Sequence, residues 1–128
     1  MSSDAAREGF EVRTEVLGSD YVAKAAEALT DYRRPLMDLV TEFGWGSVWS
    51  RPGLTHRERS LVTLALLAAL GHEEEFAMHV RATANTGASL NDIKEALLHV
   101  AVYAGVPAAN SGFRVAKSEL AKIEEEAE

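Results

Sequence analysis

Apolar residues recur every three or four positions along most of the chain. Tyr21, Ala25, Ala28, Tyr32, Leu36, Leu39 and Phe43 step in this way, the spacing of one face of an α-helix. Pro35 interrupts the run and predicts a second helix opening at its first turn, where a missing N–H does no harm. Gly44 is its expected stop. Residues 44–53 combine glycines, a proline and two tryptophans, and read as a loop whose indole rings must pack onto something. Thr55 with Glu58 forms a capping box for the next helix, which is apolar nearly all round over residues 61–70 and ends at Gly71. A further helix is expected over about residues 72–86, with Glu73, Glu74 and Glu75 at the positive end of its dipole and Gly87 as its stop. Ser89 and Asp92 mark another start, after which Ile93, Ala96, Leu97, Val100, Ala101 and Ala104 share a face. Gly105 and Pro107 punctuate, and Ala109, Phe113, Ala116, Leu120 and Ile123 line a last helix. No period-two alternation is bounded by hairpin turns. The pattern predicts an all-α single domain over residues 1–128, about six helices around a central helical hairpin. Residues 1–18 read as an N-terminal arm and 124–128 as an acidic tail.

Composition narrows the partners. The 128 residues are 47% hydrophobic and 26% charged, enough apolar material for one core and not the balance of a disordered tail. Acidic residues outnumber basic ones 20 to 13, a formal charge of −7. A surface of that sign repels nucleic acid and anionic membranes. The absence of cysteine removes disulfides, thiolate metal sites and thiol chemistry together. Residues 1–15 lack the apolar stretch of an export signal, and the run over 61–70 is too short to span a bilayer. A cytoplasmic protein is the expectation.

Chemistry concentrates on the helix after Gly71. His72, Glu75 and His79 are spaced by three and seven, which at about 100° per residue brings them within roughly 60° on one face. His72 also fits a helix start, and Glu75 a first-turn acid serving the dipole. His79 lies mid-helix among Ala77, Met78, Val80 and Ala82, either as a satisfied core histidine or as an acid–base group titrating near neutrality. Two histidines and a carboxylate also fit a metal set, but helical zinc motifs place their histidines one turn apart. No metal and no cofactor motif is read. Arg81 lies about 200° round the same helix from His79, facing solvent, an interface or a site reached from another element. Arg51, between Trp49 and Pro52, is either stacked for packing or a bidentate clamp for a small carboxylate. His56 reads as a surface residue and His99 as a core or subunit-contact residue. No Gly-rich phosphate loop, nucleophile elbow or basic recognition helix is present.

Several stretches together carry a family likeness. They are Trp45-Gly-Ser-Val-Trp-Ser-Arg-Pro-Gly-Leu54, Arg59-Ser-Leu-Val-Thr-Leu-Ala65, His79-Val-Arg81 with Asn85-Thr-Gly87, and Ala101-Val-Tyr-Ala-Gly-Val-Pro-Ala-Ala109 before Phe113-Arg-Val-Ala116. With Val12-Arg13 and Val16-Leu-Gly18, essentially the whole chain resembles the carboxymuconolactone decarboxylase family of the alkylhydroperoxidase D-like superfamily. The peroxidase branch carries a C-x-x-C pair before a histidine; those positions fall here at His72, Glu75 and His79, and its relay glutamate falls at Ser60. Thiol peroxidase chemistry is therefore impossible, while the histidine persists. The resemblance implies cofactor-independent decarboxylation of 4-carboxymuconolactone to 3-oxoadipate enol-lactone in the β-ketoadipate pathway. His79 is then the expected general acid or proton shuttle, with Glu75 orienting it and raising its pKa. Arg51, with Arg81 or Arg13, would fix carboxylates, and Trp45 and Trp49 would exclude water. A related lactone or 2-oxo acid lyase or isomerase, or a non-catalytic oligomeric binding protein, stays open as an alternative. The family also implies a homo-oligomer, commonly a hexamer or trimer, with no nucleic acid or membrane partner; apolar faces around residues 97–106 agree with an association surface.

Overall fold

In the computed structural model, which describes residues 3–127, helices follow one another with no strand among the described residues. They are α1 (Asp4–Leu17), α2 (Ser19–Ala28), α3 (Arg34–Leu39), a π-helix (Val40–Trp49), α4 (His56–Leu70), α5 (Glu73–Thr86), α6 (Leu90–Tyr103) and α7 (Val106–Ala127). The all-α expectation holds. The backbone groups into two compact units, Met1–His56 and Arg57–Glu128.

In the N-terminal unit, α1 replaces the expected arm. The Ser3 side chain accepts from the Ala6 N–H at 3.0 Å and starts the helix, and Asp4 sits in the first turn. Its buried face is Ala6, Gly9, Arg13 and Val16, a mixture that carries little hydropathy signal. The reason for glycine is direct: α1 crosses the π-helix so closely that a Cβ on Gly9 would overlap the Thr41 carbonyl, and one on Gly46 the Ala5 carbonyl. Pro35 does open α3, as expected. Gly44 does not close it, because the chain continues into the π-helix, and the Ser50 N–H donates to the Trp45 carbonyl five residues back at 3.1 Å. The expected loop is thus helical up to Trp49. The long apolar face expected over residues 21–43 is not continuous either. Turn residues separate α2 from α3, Val22 is buried, and Tyr21, Tyr32, Leu36, Leu39 and Phe43 are exposed.

The C-terminal unit is built around Leu64, Ala68, Phe76, Val80, Ile93, Leu97, Val100, Ala109 and Ala116, contributed by all four of its helices. Here the expected punctuation holds. Gly87 caps α5 in the left-handed conformation, and Ser89 and Asp92 form a complete capping box, with bonds of 3.0 and 2.9 Å. Asp92 also takes a bidentate pair from Arg57 at 2.7 and 2.8 Å, joining the starts of α4 and α6; the guanidinium holds its carboxyl down at about 2. The acidic end of the chain extends α7 to Ala127 rather than forming a separate tail. Val62, Leu66 and Leu70 of α4 and Leu98, Val102 and Tyr103 of α6 face outward, leaving large apolar side chains exposed.

Candidate active site

Helix α5 places its polar residues on two faces. Its buried face presents His79, Thr83 and Thr86 at intervals of four and three, next to Phe76 and Val80. The Thr86 hydroxyl donates to the fully buried Ser60 hydroxyl of α4 at 3.0 Å. The threonines were not singled out from sequence, although their spacing from His79 was a readable signal.

His79 is 6% exposed. Burial pushes its imidazole down to about 4, because desolvation penalises the charged form; Glu75, one turn earlier, pulls the other way with a smaller effect. The expectation that Glu75 raises the His79 pKa is corrected in its net result. The carboxylate acts in that direction, but Glu75 is itself exposed and burial outweighs it. Near neutral pH the imidazole is uncharged. His72 stands exposed at the N-cap of α5, and among the described residues no group of three or more His, Cys, Asp or Glu side chains could hold a metal ion.

Arg81 points toward α7. Its guanidinium donates twice to Glu126, at 2.9 and 3.2 Å, and its Nε stands 3.4 Å from the largely buried Glu119. The structure thus engages Arg81 in a clamp between α5 and α7.

In the N-terminal unit, Trp45 is buried and its ring stacks on Trp49 with centroids 4.9 Å apart, tilted by 37°. Trp49 in turn meets His56 edge-on at 6.0 Å. The two indoles lie four residues apart on adjacent turns of the π-helix, which is how the packing demanded by an aromatic-rich segment is met. Arg51 lies two residues beyond Trp49 and is exposed. Arg13 is 7% exposed on α1 and lines a cavity of about 310 Å³. A cavity of about 390 Å³ between α6 and α7 is lined by none of the candidate residues. His99 is exposed and lies 5.5 Å from Tyr103, ring to ring, on the outer face of α6.

Residues 34–118 match the model of the carboxymuconolactone decarboxylase family. The chain belongs to that family. A 4-carboxymuconolactone decarboxylase of Acinetobacter baylyi is 47% identical over 111 residues, covering 87% of this chain and 83% of the relative. A nitrosuccinic acid decarboxylase of Metarhizium robertsii is 44% identical over 116 residues, covering 84% and 81%. An uncharacterized 15.0 kDa protein of Paracoccus denitrificans is 29% identical over 87 residues, covering 66% and 65%. The family segment includes α5 and the paired indoles, but begins after Arg13.

Proposed function

We propose that this chain is a carboxy-lyase that converts 4-carboxymuconolactone to 3-oxoadipate enol-lactone without an organic cofactor. The observation that carries the reading is the 47% identity to a decarboxylase of that substrate along most of both chains. The second named decarboxylase strengthens it chemically. Nitrosuccinic acid and 4-carboxymuconolactone both place a carboxylate and a CH2-carboxylate arm on one carbon, and each joins that carbon to an electron-withdrawing system. A site serving either must accept a dianion and stabilise the charge left when CO2 departs.

In the lactone, the bond from the ring carbon to the leaving carboxylate breaks and its electron pair moves through the C=C bond onto the carbonyl oxygen. A proton then adds at the α-carbon, giving the β,γ-unsaturated enol-lactone. His79 is assigned to that proton. Because burial keeps the imidazole neutral, it acts as a shuttle, giving its N–H proton from one nitrogen while the other accepts, rather than as a standing imidazolium. A neutral N–H also donates well to a developing oxyanion. Glu75 is a positioning residue at most. Arg51 is assigned to a substrate carboxylate, Trp45 and Trp49 to water exclusion, and Arg81 to holding α5 on α7.

The outward apolar faces of α4 and α6 support a homo-oligomer. A hexamer or trimer, and the cytoplasm as its compartment, are part of the proposal as the family resemblance implies them. No described helix is long and apolar enough to cross a membrane. Incubation with enzymatically generated 4-carboxymuconolactone tests the function: loss of the substrate's ultraviolet band with stoichiometric CO2 release is expected. A folded protein that releases no CO2 would overturn the assignment.

A further inference from the structure

In the C-terminal unit, Arg57, Arg81, Arg114 and Lys122 each pair with a carboxylate. Lys94 and Lys117 take part in none of the ion pairs among the described residues. The chain has acid to spare, with 20 acidic residues against 13 basic, so two unpaired amines in one place stand out. Both line the cavity of about 390 Å³ between α6 and α7, which lies wholly within that unit. Its size falls at the lower end of small-ligand sites, roughly 300–1,000 Å³.

The cavity is an apolar groove with a basic rim. Ile93, Leu97 and Ala116 are its buried floor, and Leu90, Phe113 and Leu120 add apolar walls. The two helices run antiparallel across the turn at Gly105. A Cβ on Gly112 would collide with Leu97, which fixes Leu97 at the level of Gly112. Lys94 lies three residues back along α6 and Lys117 five residues on along α7. At 1.5 Å per residue the two backbones are within roughly 3 Å of the same level, one on each wall. Lysine stems lie along apolar surface and hold their ammonium groups at the rim. The other charged lining residue is Glu124, seven residues beyond Lys117, so the lining carries a net charge of +1. One anionic head attached to an apolar chain completes both the charge and the surface.

We propose that the α6–α7 groove binds a medium-chain fatty acid, its carboxylate between Lys94 and Lys117 and its chain on Ile93 and Leu97. This is a second ligand site, independent of the decarboxylase reading, because no residue assigned to that reaction lines it. Nor do Leu98, Val102 or Tyr103, the outward side chains of α6.

Calorimetric titration of the full chain tests it with octanoate and octan-1-ol, which share a chain length but not a charge. The native protein is expected to bind about one octanoate per chain and to prefer it to the alcohol by tenfold or more. Lys94→Gln with Lys117→Gln, both at exposed positions, should reduce that preference to within about twofold. Ala121→Trp, at another exposed lining position, fills the groove with both lysines intact and should abolish octanoate binding. Circular dichroism matching the native protein verifies the fold of each variant. Absence of octanoate binding, equal binding of the two probes, or a preference that survives the double substitution would overturn the proposal. Binding that Ala121→Trp leaves intact would overturn it too, by placing the fatty acid elsewhere. So would a native protein that ignores octanoate and loses subunits on Ala121→Trp, since a second copy then fills the groove.

Discussion

The backbone of Gly46 meets the carbonyl oxygen of Ala5 so closely that no side chain fits between them. This contact, with its counterpart between Gly9 and Thr41, sets the distance between α1 and the π-helix that carries Trp45. Gly46→Ala forces the two backbones apart and is expected to destabilise the N-terminal unit by about 3 kcal/mol, at the upper end of overpacking costs. Gly53→Ala, where nothing lies within 4 Å, is the matched control and should be near neutral. Denaturant midpoints of the two variants decide the matter.

His79 makes stability depend on pH in a particular window. Its folded value of about 4 lies below the ordinary 6.5, so above pH 6.5 it is neutral in both states and contributes no slope. As pH falls from 6.5 toward 4, the unfolded chain gains a proton that the folded chain refuses, and stability is lost. The full loss is on the order of 3 kcal/mol. His79→Gln should lack this component, so the stability difference between native and variant should change across that window and be flat above it.

The same substitution tests the chemistry. His79→Gln keeps a polar group of similar reach but cannot shuttle a proton, and kcat is expected to fall about 10²- to 10⁴-fold with the helical content retained. In the native enzyme, activity should show no His79 titration near pH 6.5 and should decline only toward pH 4, as the buried imidazole becomes charged. A pH–rate profile checks both.

The two arginines that flank the candidate residues should separate cleanly. Arg51→Gln removes a charge-assisted contact to substrate, and KM should rise about tenfold or more. Arg81→Gln leaves the largely buried Glu119 with Lys122, 3.7 Å away, as its remaining cation and should cost about 1 kcal/mol of stability, with kcat/KM of the folded enzyme little changed. Steady-state kinetics beside thermal unfolding distinguishes the two.

What could be read from the sequence was whatever local chemistry determines. The Ser89–Asp92 cap, the Gly87 stop, Pro35 at the start of α3 and the inward position of His79 all follow from side chains acting on their own neighbourhood. Helix α1 was hidden because its buried face consists of alanine, glycine, arginine and valine, chosen for close approach and charge rather than hydrophobicity. The π-helix was hidden because glycines that usually end helices are used here for contact with α1. The direction of the His79 shift was not legible either. Sequence shows the carboxylate one turn away but not the depth of burial that outweighs it.

The widened turns between Val40 and Trp49 fix how many residues that segment can contain. Removing one amino acid would let the coil tighten to α geometry and swing the second indole off the first, whereas most point changes on its outer side would leave the pair stacked. Length, more than identity, is therefore the variable to which this aromatic wall is sensitive.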